Sequence, residues 1–419
     1  MNFQHLKSDL HDSSQTETVC RACKSEHIVS FLDLGVTPLA DRLLTSVGEN
    51  EPVFPLNVVF CEHCALVQIT ETVAPEILFA DAYPYYSSFS PALLAHSREN
   101  VLGVLAARKL THDSLVIELA SNDGYLLKNY KEAGIPVLGI DPAEGPATAA
   151  ERIGVPTLQD FFTLALAEKL RAEGKRADVV HANNVLAHVA DTNGFILGLK
   201  AILKPDGVAV IEVPYVKSLI DHVEFDTIYH EHLCYFSVTA LDNLFRRHGL
   251  FLNRIELLAI HGGSLRLFVE PQENVTASVT AQLRLEQELG LNRFEFFRDF
   301  SDRVTALKAG LVSLVRELKA QGKRIAAYGA AAKGATMLNY CGLSSNEIDF
   351  VVDRNTYKQG RFMPGAHIPV RDPSALLEEK PDYVLLLAWN FADEIFEQQA
   401  AYRAAGGKFI VPVPSPRIM

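Results

Sequence analysis

The sequence predicts an α/β protein in three parts: an N-terminal four-cysteine knuckle, a Rossmann-like α/β unit, and a smaller Rossmann-like α/β unit at the C-terminus. Three observations predict it. Two C-x2-C pairs, Cys20/Cys23 and Cys61/Cys64, bracket residues 24–60. From Ser114 onward short β-rich runs alternate with helical patterns at the spacing of β-α-β units, which implies a mostly parallel sheet covered on both faces. After Gly322 the alternation restarts. A chain of 419 residues holds two or three domains. With 48% hydrophobic and 21% charged residues, wholesale disorder is excluded. Lys+Arg 39 against Asp+Glu 51 leaves a net charge of −12 with no long basic run, so no nucleic-acid partner held by bulk electrostatics is expected. No apolar run approaches the roughly 18 residues that a membrane span needs. The start, MNFQHLKSDLHDSSQTET, has no apolar run behind a basic head, so no secretory signal is expected and the cytoplasm is the expected home.

Residues 1–17 are polar enough to be a disordered leader. Residues 18–80 read as the knuckle domain: VCRAC and FCEHC enclose Pro38, Pro52 and Pro55 and only short apolar runs, too little for a core without a staple. In a reducing compartment the four cysteines are better metal ligands than disulfides, although buried or redox thiols are the alternative. Each pair can place two thiolates about 2.3 Å from one zinc ion, and two pairs close a tetrahedron. A closed site leaves no position for water, so its role is structural, contributing on the order of 10 kcal/mol to folding.

Residues 81–275 form the second part. A Tyr/Ser/Pro-rich connector, DAYPYYSSFSP, leads to a helical pattern beginning at Pro91. The run LVIELAS ends near an acid, Glu118, and passes through the small turn containing Ala120, Asn122 and Gly124 to Tyr125 and a helix. Backbone amides at such a turn can approach a ligand closely. The next strand ends at Asp141, placed to bind two ribose hydroxyls. Asp160 and Phe161 follow the third strand, an acceptor and an aromatic suited to an adenine edge and face. The fourth ends in Asn183 and Asn184. This ordered set resembles the S-adenosylmethionine (SAM) site of class I methyltransferases, although the usual acid-then-G-x-G-x-G pattern is reduced to Gly124. NAD binding, or no ligand, is the alternative.

The strand GVAVIEVPY leads into Tyr229, His230, Glu231 and His232. A histidine beside a carboxylate suits removal of a carbon-bound proton. A metal site is an alternative, because in an extended segment His230 and His232 share a face; a hydrogen-bonded structural turn is another. Residues 276–320 have helical periodicity, as a connector pair would. Residues 321–419 open with Tyr328-Gly329 and a small-residue turn before Lys333, apt for a diphosphate. Asp353 and Asn390 belong to the carboxyl edge of that sheet, where open α/β sheets take ligands. Asp353 stands near the ribose-acid spacing from Gly329, so a dehydrogenase-like NAD site is the rival reading.

In order, the four-cysteine knuckle, E-L-A-S-N-D-G, Y-H-E-H-L-x-Y-F-S, H-G-G-S-L-R at 261–266 and Y-G-A-A-A-K-G resemble the three-domain SAM-dependent C-methyltransferases that add a branching methyl to keto deoxysugar nucleotides, as in tetronitrose-type 3-C-methylation. The resemblance covers about residues 18 to 419. It implies SAM as cofactor, one structural zinc ion, and a small-molecule substrate, a dTDP-linked 4-keto-2,6-dideoxy sugar methylated at C3. C5 methylation of a related sugar, or an NAD-dependent oxidoreductase, is the alternative. His232 matches the family's general base, with Glu231 and Tyr229 orienting or polarising; Tyr83 matches a connector tyrosine that closes over the sugar, and His188 another active-site histidine. The terminal unit would hold the nucleotide end, with Tyr328, Lys333, Asp353 and Asn390, while Ser87, His261, Ser264 and Arg266 would face sugar or diphosphate. A monomer is compatible with the sequence.

Overall fold

The computed structural model describes residues 14–79 and 86–419. In the first part, β1 (Ser14–Thr16), β2 (Ile28–Pro38), β3 (Val53–Cys61), β4 (Val67–Ile69) and β5 (Glu71–Val73) form two antiparallel systems. Strands β2, β3 and β4 are neighbours in one sheet, and β1 pairs with β5 through Ser14↔Val73 and Thr16↔Glu71. Residues 14–16, assigned from sequence to a disordered leader, are therefore strand, because the edge of β5 offers them backbone partners. The knuckle has more apolar surface than its short runs suggest, yet, as expected, it does not form its main core alone. Strands of eleven and nine residues supply an apolar face, and Phe31 and Phe60 bury it against Phe297 and Phe300 of the connector (ring centroids 4.9–6.2 Å). The knuckle thus borrows its core from elsewhere in the chain.

The middle sheet comprises β6 (Val116–Leu119), β7 (Val137–Ile140), β8 (Thr157–Leu158), β9 (Ala177–Asn183), β10 (Leu203–Pro214), and, after the short β11 (Cys234–Tyr235), β12 (Phe251–Leu258) and β13 (Ser264–Glu270). Its order is β12-β13-β10-β9-β6-β7-β8. The first five strands are parallel, whereas β13 runs antiparallel between β10 and β12. Strand order reverses next to β6, so the carboxyl ends of β6 and β9 flank the crevice where such sheets take ligands. Strand β11 does not join this sheet. It pairs with β4 of the knuckle through Cys234↔Gln68, so the knuckle sheet is completed by the chain immediately after His232.

Two connector helices, Ala277–Leu289 and Phe300–Ala320, follow. The first is fastened by buried Glu286, whose carboxylate accepts from Val238 N, Thr239 N and the Tyr215 hydroxyl (2.8 Å each), capping the next helix over. The terminal sheet contains β14 (Ile325–Tyr328), β15 (Val351–Val352), β16 (Val370–Arg371), β17 (Tyr383–Leu386), β18 (Lys408–Val411) and β19 (Arg417–Ile418), ordered β16-β15-β14-β17-β18-β19. All its pairings are parallel except β18–β19. The knuckle clasps this unit too: Leu44 and Phe362 exchange both backbone bonds (2.9 Å), and Glu51 binds Gly365 N and His367.

Candidate active site

The turn after β6 solves the missing-glycine problem. Ala120, Asn122 and Gly124 all take positive φ (53°, 50° and 75°), the conformation that glycine supplies at least cost. The alternate residues of the turn therefore adopt the required backbone although two of them carry side chains. Asp141, at the end of β7, accepts from Asn122 N (2.8 Å) and Ala143 N (2.9 Å). The Asn122 side chain accepts from Ser87 N at 2.9 Å, so Ser87 lies against this turn. Beneath it, the Glu118 carboxyl is buried, with neither oxygen partnered among the described residues. Burial first, then Asp141 and Asp123, pushes its pKa well above the usual range. A buried carboxyl lacking donors is what the ammonium of SAM satisfies, so the site fits that cofactor. Asn183, whose amide oxygen also lacks a partner among the described residues, closes β9, and Asn184 follows with φ 54°. Tyr125 is buried behind the turn. Asp160 is exposed beyond β8 and caps Phe161 N (2.8 Å).

The segment 224–236 is not extended. A turn at Tyr229–His232 (His232 N to Tyr229 O, 2.9 Å) sends the two histidines to different neighbours. His230 is buried and its Nε2 donates to Pro55 O of the knuckle (3.1 Å); it is structural. The idea of a shared metal face is thereby overturned, and among the described residues the only metal-competent cluster is the four cysteines. His232 Nδ1 donates to Thr227 O (2.8 Å). A carbonyl only accepts, so the neutral ring presents its lone pair at Nε2, 3.1 Å from the Tyr229 hydroxyl. The Tyr229 ring stacks on it at 4.1 Å and His188 stands at 4.8 Å. His188 Nδ1 donates to Glu231 O (2.5 Å), while burial pulls its pKa down to about 4. Leu233 N bonds Ala187 O (2.8 Å), locking this turn to the chain that leaves Asn183–Asn184. The Glu231 carboxyl is buried, and burial, with the charge of Asp41, raises its pKa to about 8. Tyr229, His232 and His188 thus converge, whereas the Glu231 carboxyl turns to the backbone N–H of Asp41 (3.4 Å); Tyr83 lies outside the described residues.

The four cysteine sulfurs lie within 4.8 Å of one another, with Cys20–Cys64 and Cys23–Cys61 at 3.5 Å. A tetrahedron of sulfurs about 2.3 Å from zinc has edges of about 3.8 Å, so the cluster fits one ion. Each knuckle ends in a residue of positive φ, Lys24 (61°) and Ala65 (62°), whose N–H returns to the carbonyl of Cys20 or Cys61 (2.9 Å).

A second cleft, of about 540 Å³, opens between the middle and terminal units, lined by Ser218, His222, Glu224, Gly262, Gly263, Trp389, Asn390 and Arg417 among others. Gly262 takes φ +89°, a conformation that favours glycine, and lies against the Glu224 carboxylate. Beside it, Lys333 binds Asn390 Oδ1 (3.0 Å) and sits over the Trp389 ring. Burial lowers its pKa, opposed by Asp226 and Glu224. Asp226 accepts from Trp389 Nε1 (2.7 Å), and burial raises its pKa to about 6. Sequence reading passed over Asp226 and Glu224; their only signal was proximity to Tyr229 in the chain.

Three expected substrate contacts change. Arg266 does not face the cleft: its guanidinium is engaged by Glu212 (2.7 Å) and Glu256 (3.0 Å), since β13 pairs with β10 and β12 at those residues. Ser264 is buried and bonded to Ile260 O (3.1 Å). At the Gly329 turn Asp353 accepts from Ala330 N (2.8 Å) and Asn355 N (2.8 Å), the pattern of Asp141, so its carboxylate braces the turn, while Lys358 binds Ala330 O (2.7 Å). Tyr328 is buried with its hydroxyl toward Gln398 (3.3 Å). His261 contributes its backbone to the turn Ile260–Gly262.

Family profiles match the chain in the same order: a zinc binding domain at residues 20–79, a methyltransferase domain at 92–253, and a C-methyltransferase C-terminal domain at 259–414. The chain is 37% identical over 405 residues to the C-methyltransferase NovU of Streptomyces niveus, covering 96% of each. It is 32% identical over 129 residues to a ubiquinone biosynthesis O-methyltransferase of Caulobacter vibrioides, covering 29% of this chain and 51% of that one. Among solved structures, the glycopeptide N-methyltransferase MtfA complexed with SAM aligns over 46% of this chain and 97% of its own, with 12% identity and a TM-score of 0.35.

Proposed function

The chain belongs to the SAM-dependent C-methyltransferases, kin to NovU along almost its whole length, and from that premise we propose that it methylates C3 of a dTDP-linked 4-keto-2,6-dideoxy sugar. The observation that carries this is the His232 imidazole, oriented by the Thr227 carbonyl and packed against Tyr229 and His188. Carbon beside a ketone is acidic enough for a positioned histidine to deprotonate, a contribution of about 10²–10⁴ in rate. Nε2 of His232 takes that proton, and the Thr227 carbonyl steadies the imidazolium that forms. Glu231, whose carboxyl pKa is raised by burial and by Asp41, is the neighbouring acid that would support charge developing on the enolate oxygen. SAM supplies the electrophilic methyl that the carbanion takes up. The nucleotide end lies in the cleft lined by Asn390, Gly262, Gly263, His222 and Arg417, and residues 224–232 run from its floor to the catalytic turn.

Mass spectrometry of keto sugar nucleotides incubated with SAM tests the reading: the expected product gains one CH2, and NMR places the methyl on C3. A methyl on C5 would keep the reaction and overturn the regiochemistry. His232→Asn is expected to lower turnover at least 10²-fold while calorimetric binding of SAM is retained. An active variant would remove His232 as base.

A further inference from the structure

The hydrogen bond that orients His232 ends on a carbonyl, Thr227 O, and that carbonyl belongs to a short turn gripped by the terminal unit. Residues Phe225–Thr227 form one 3₁₀ turn. It is closed by Thr227 N to Glu224 O (3.1 Å) and Ile228 N to Phe225 O (3.0 Å), and the Thr227 hydroxyl donates to Glu224 O as well (2.8 Å). Planar peptides leave few soft dihedrals between Asp226 and the next carbonyl, so whatever grips Asp226 sets where Thr227 O points.

That grip comes from far along the chain. The buried Asp226 carboxyl accepts from Trp389 Nε1 at 2.7 Å, and its other oxygen has no partner among the described residues. On either side, the Phe225 ring meets the Tyr340 ring (centroids 5.2 Å apart) and the Thr336 hydroxyl lies 3.3 Å from Ile228 O. Trp389, Tyr340 and Thr336 all belong to the terminal unit, which thus reaches the imidazole in two steps: indole N–H to carboxyl, then the carbonyl one residue on to ring N–H. Trp389 also lines the cleft of about 540 Å³ in which the nucleotide end is placed. We propose that Asp226 and Trp389 are positioning residues for His232: their hydrogen bond fixes the Thr227 carbonyl, which keeps the ring proton on Nδ1 and leaves the Nε2 lone pair for the substrate carbon. The Tyr229 hydroxyl beside Nε2 can donate or accept, so it is compatible with either tautomer, and the carbonyl makes the choice. The effect on rate rests on His232 being the base, as proposed above; the effect on the tautomer does not.

Asp226→Ala removes the acceptor, Asp226→Asn keeps an oxygen for the indole, and Trp389→Phe keeps a ring beside Lys333 while removing the N–H. Nitrogen-15 NMR of histidine-labelled full-length protein, saturated with S-adenosylhomocysteine at a pH where the ring is neutral, reads the tautomer without turnover. The His232 signals are those lost in His232→Asn. In Asp226→Ala and Trp389→Phe the proton is expected to spread to Nε2; in Asp226→Asn it is expected to stay on Nδ1. Turnover should fall about 10²-fold in Asp226→Ala, as for a displaced catalytic group, and Asp226→Asn should restore most of it. KM for the sugar nucleotide should change little in Asp226→Ala, because Asp226 does not line the cleft. Adding Trp389→Phe to Asp226→Ala should cost little more in kcat, since both remove one bond. A tautomer unmoved in both single variants overturns the proposal, as do kcat losses that multiply in the double variant. If Asp226→Ala folds poorly, the Trp389→Phe spectrum alone decides. A displaced tautomer in an enzyme that methylates no keto sugar nucleotide would leave the positioning role standing and overturn the function instead.

Discussion

At the scale of single residues, the chain shows how a motif survives the loss of its usual letters. Only Gly124 of the cofactor turn was legible, since composition carries no record of φ. Ala120 holds a left-handed conformation with its methyl exposed, so that methyl gains little from packing and costs about 1 kcal/mol in strain. Ala120→Gly is therefore expected to raise stability by up to about 1 kcal/mol in urea unfolding, after the extra freedom of the unfolded chain is subtracted. No gain would mean that the turn relaxes in solution. The proposed base and acid, His232 and Glu231, stood out because their spacing puts an imidazole and a carboxyl in one segment. The opposite fates of His230 and His232 were not, because one turn reverses the alternation that an extended strand would impose. Arg266 misled for a similar reason: a lone arginine beside a Gly-Gly pair looks like an anion ligand until two partner strands bring Glu212 and Glu256 to it.

At the scale of elements, the β-α-β alternation was plain because parallel strands buried on both faces read as short apolar runs. The antiparallel strand β13 was less visible; SLRLFVE follows the Gly-Gly turn that suggested a loop. The largest difference lies in the knuckle. Its two long strands make a sheet that accepts β11 as a fourth strand, directly after His232. A zinc ion at the far end of β3 would thus brace the turn that carries His232 through continuous backbone pairing. Cys61→Ser is expected to lose the one equivalent of metal, together with cooperative folding and all activity. Metal analysis and circular dichroism check this. A well-folded, zinc-free, fully active variant would show that the site is dispensable.

At the scale of the whole molecule, the interfaces gather buried acids. Glu231, Glu224 and Asp226 carry folded pKa values of about 8, 7 and 6, each raised by burial from ordinary carboxyl values. A raised carboxyl binds its proton more tightly when folded than unfolded, so stability falls as pH rises between the unfolded and folded values. His181, buried, and His188, part-buried, are held down to about 3 and 4 by desolvation and act in the opposite sense below their ordinary value of 6.5. From about pH 6.5 to 8 only the carboxyls remain. Stability of the unliganded protein is expected to decline there, each retained proton contributing about 1.4 kcal/mol per pH unit. Glu231→Gln should flatten the decline in urea titrations at several pH values. No helix among the described residues is long and apolar enough to cross a membrane.

The sequence alone determined the order of parts, the metal ligands and the strand ends around the cofactor, and it pointed to the proposed base, His232, because each is written in local spacing and in which side chains can do the chemistry. Tertiary structure decided which charges are already paired within the fold, as in Arg266 with Glu212 and Glu256. It also placed Asp41, from one domain, against the acid of another. Those outcomes depend on pairings between residues far apart in the chain, where burial sets the cost of every unpartnered charge, and no local pattern encodes them.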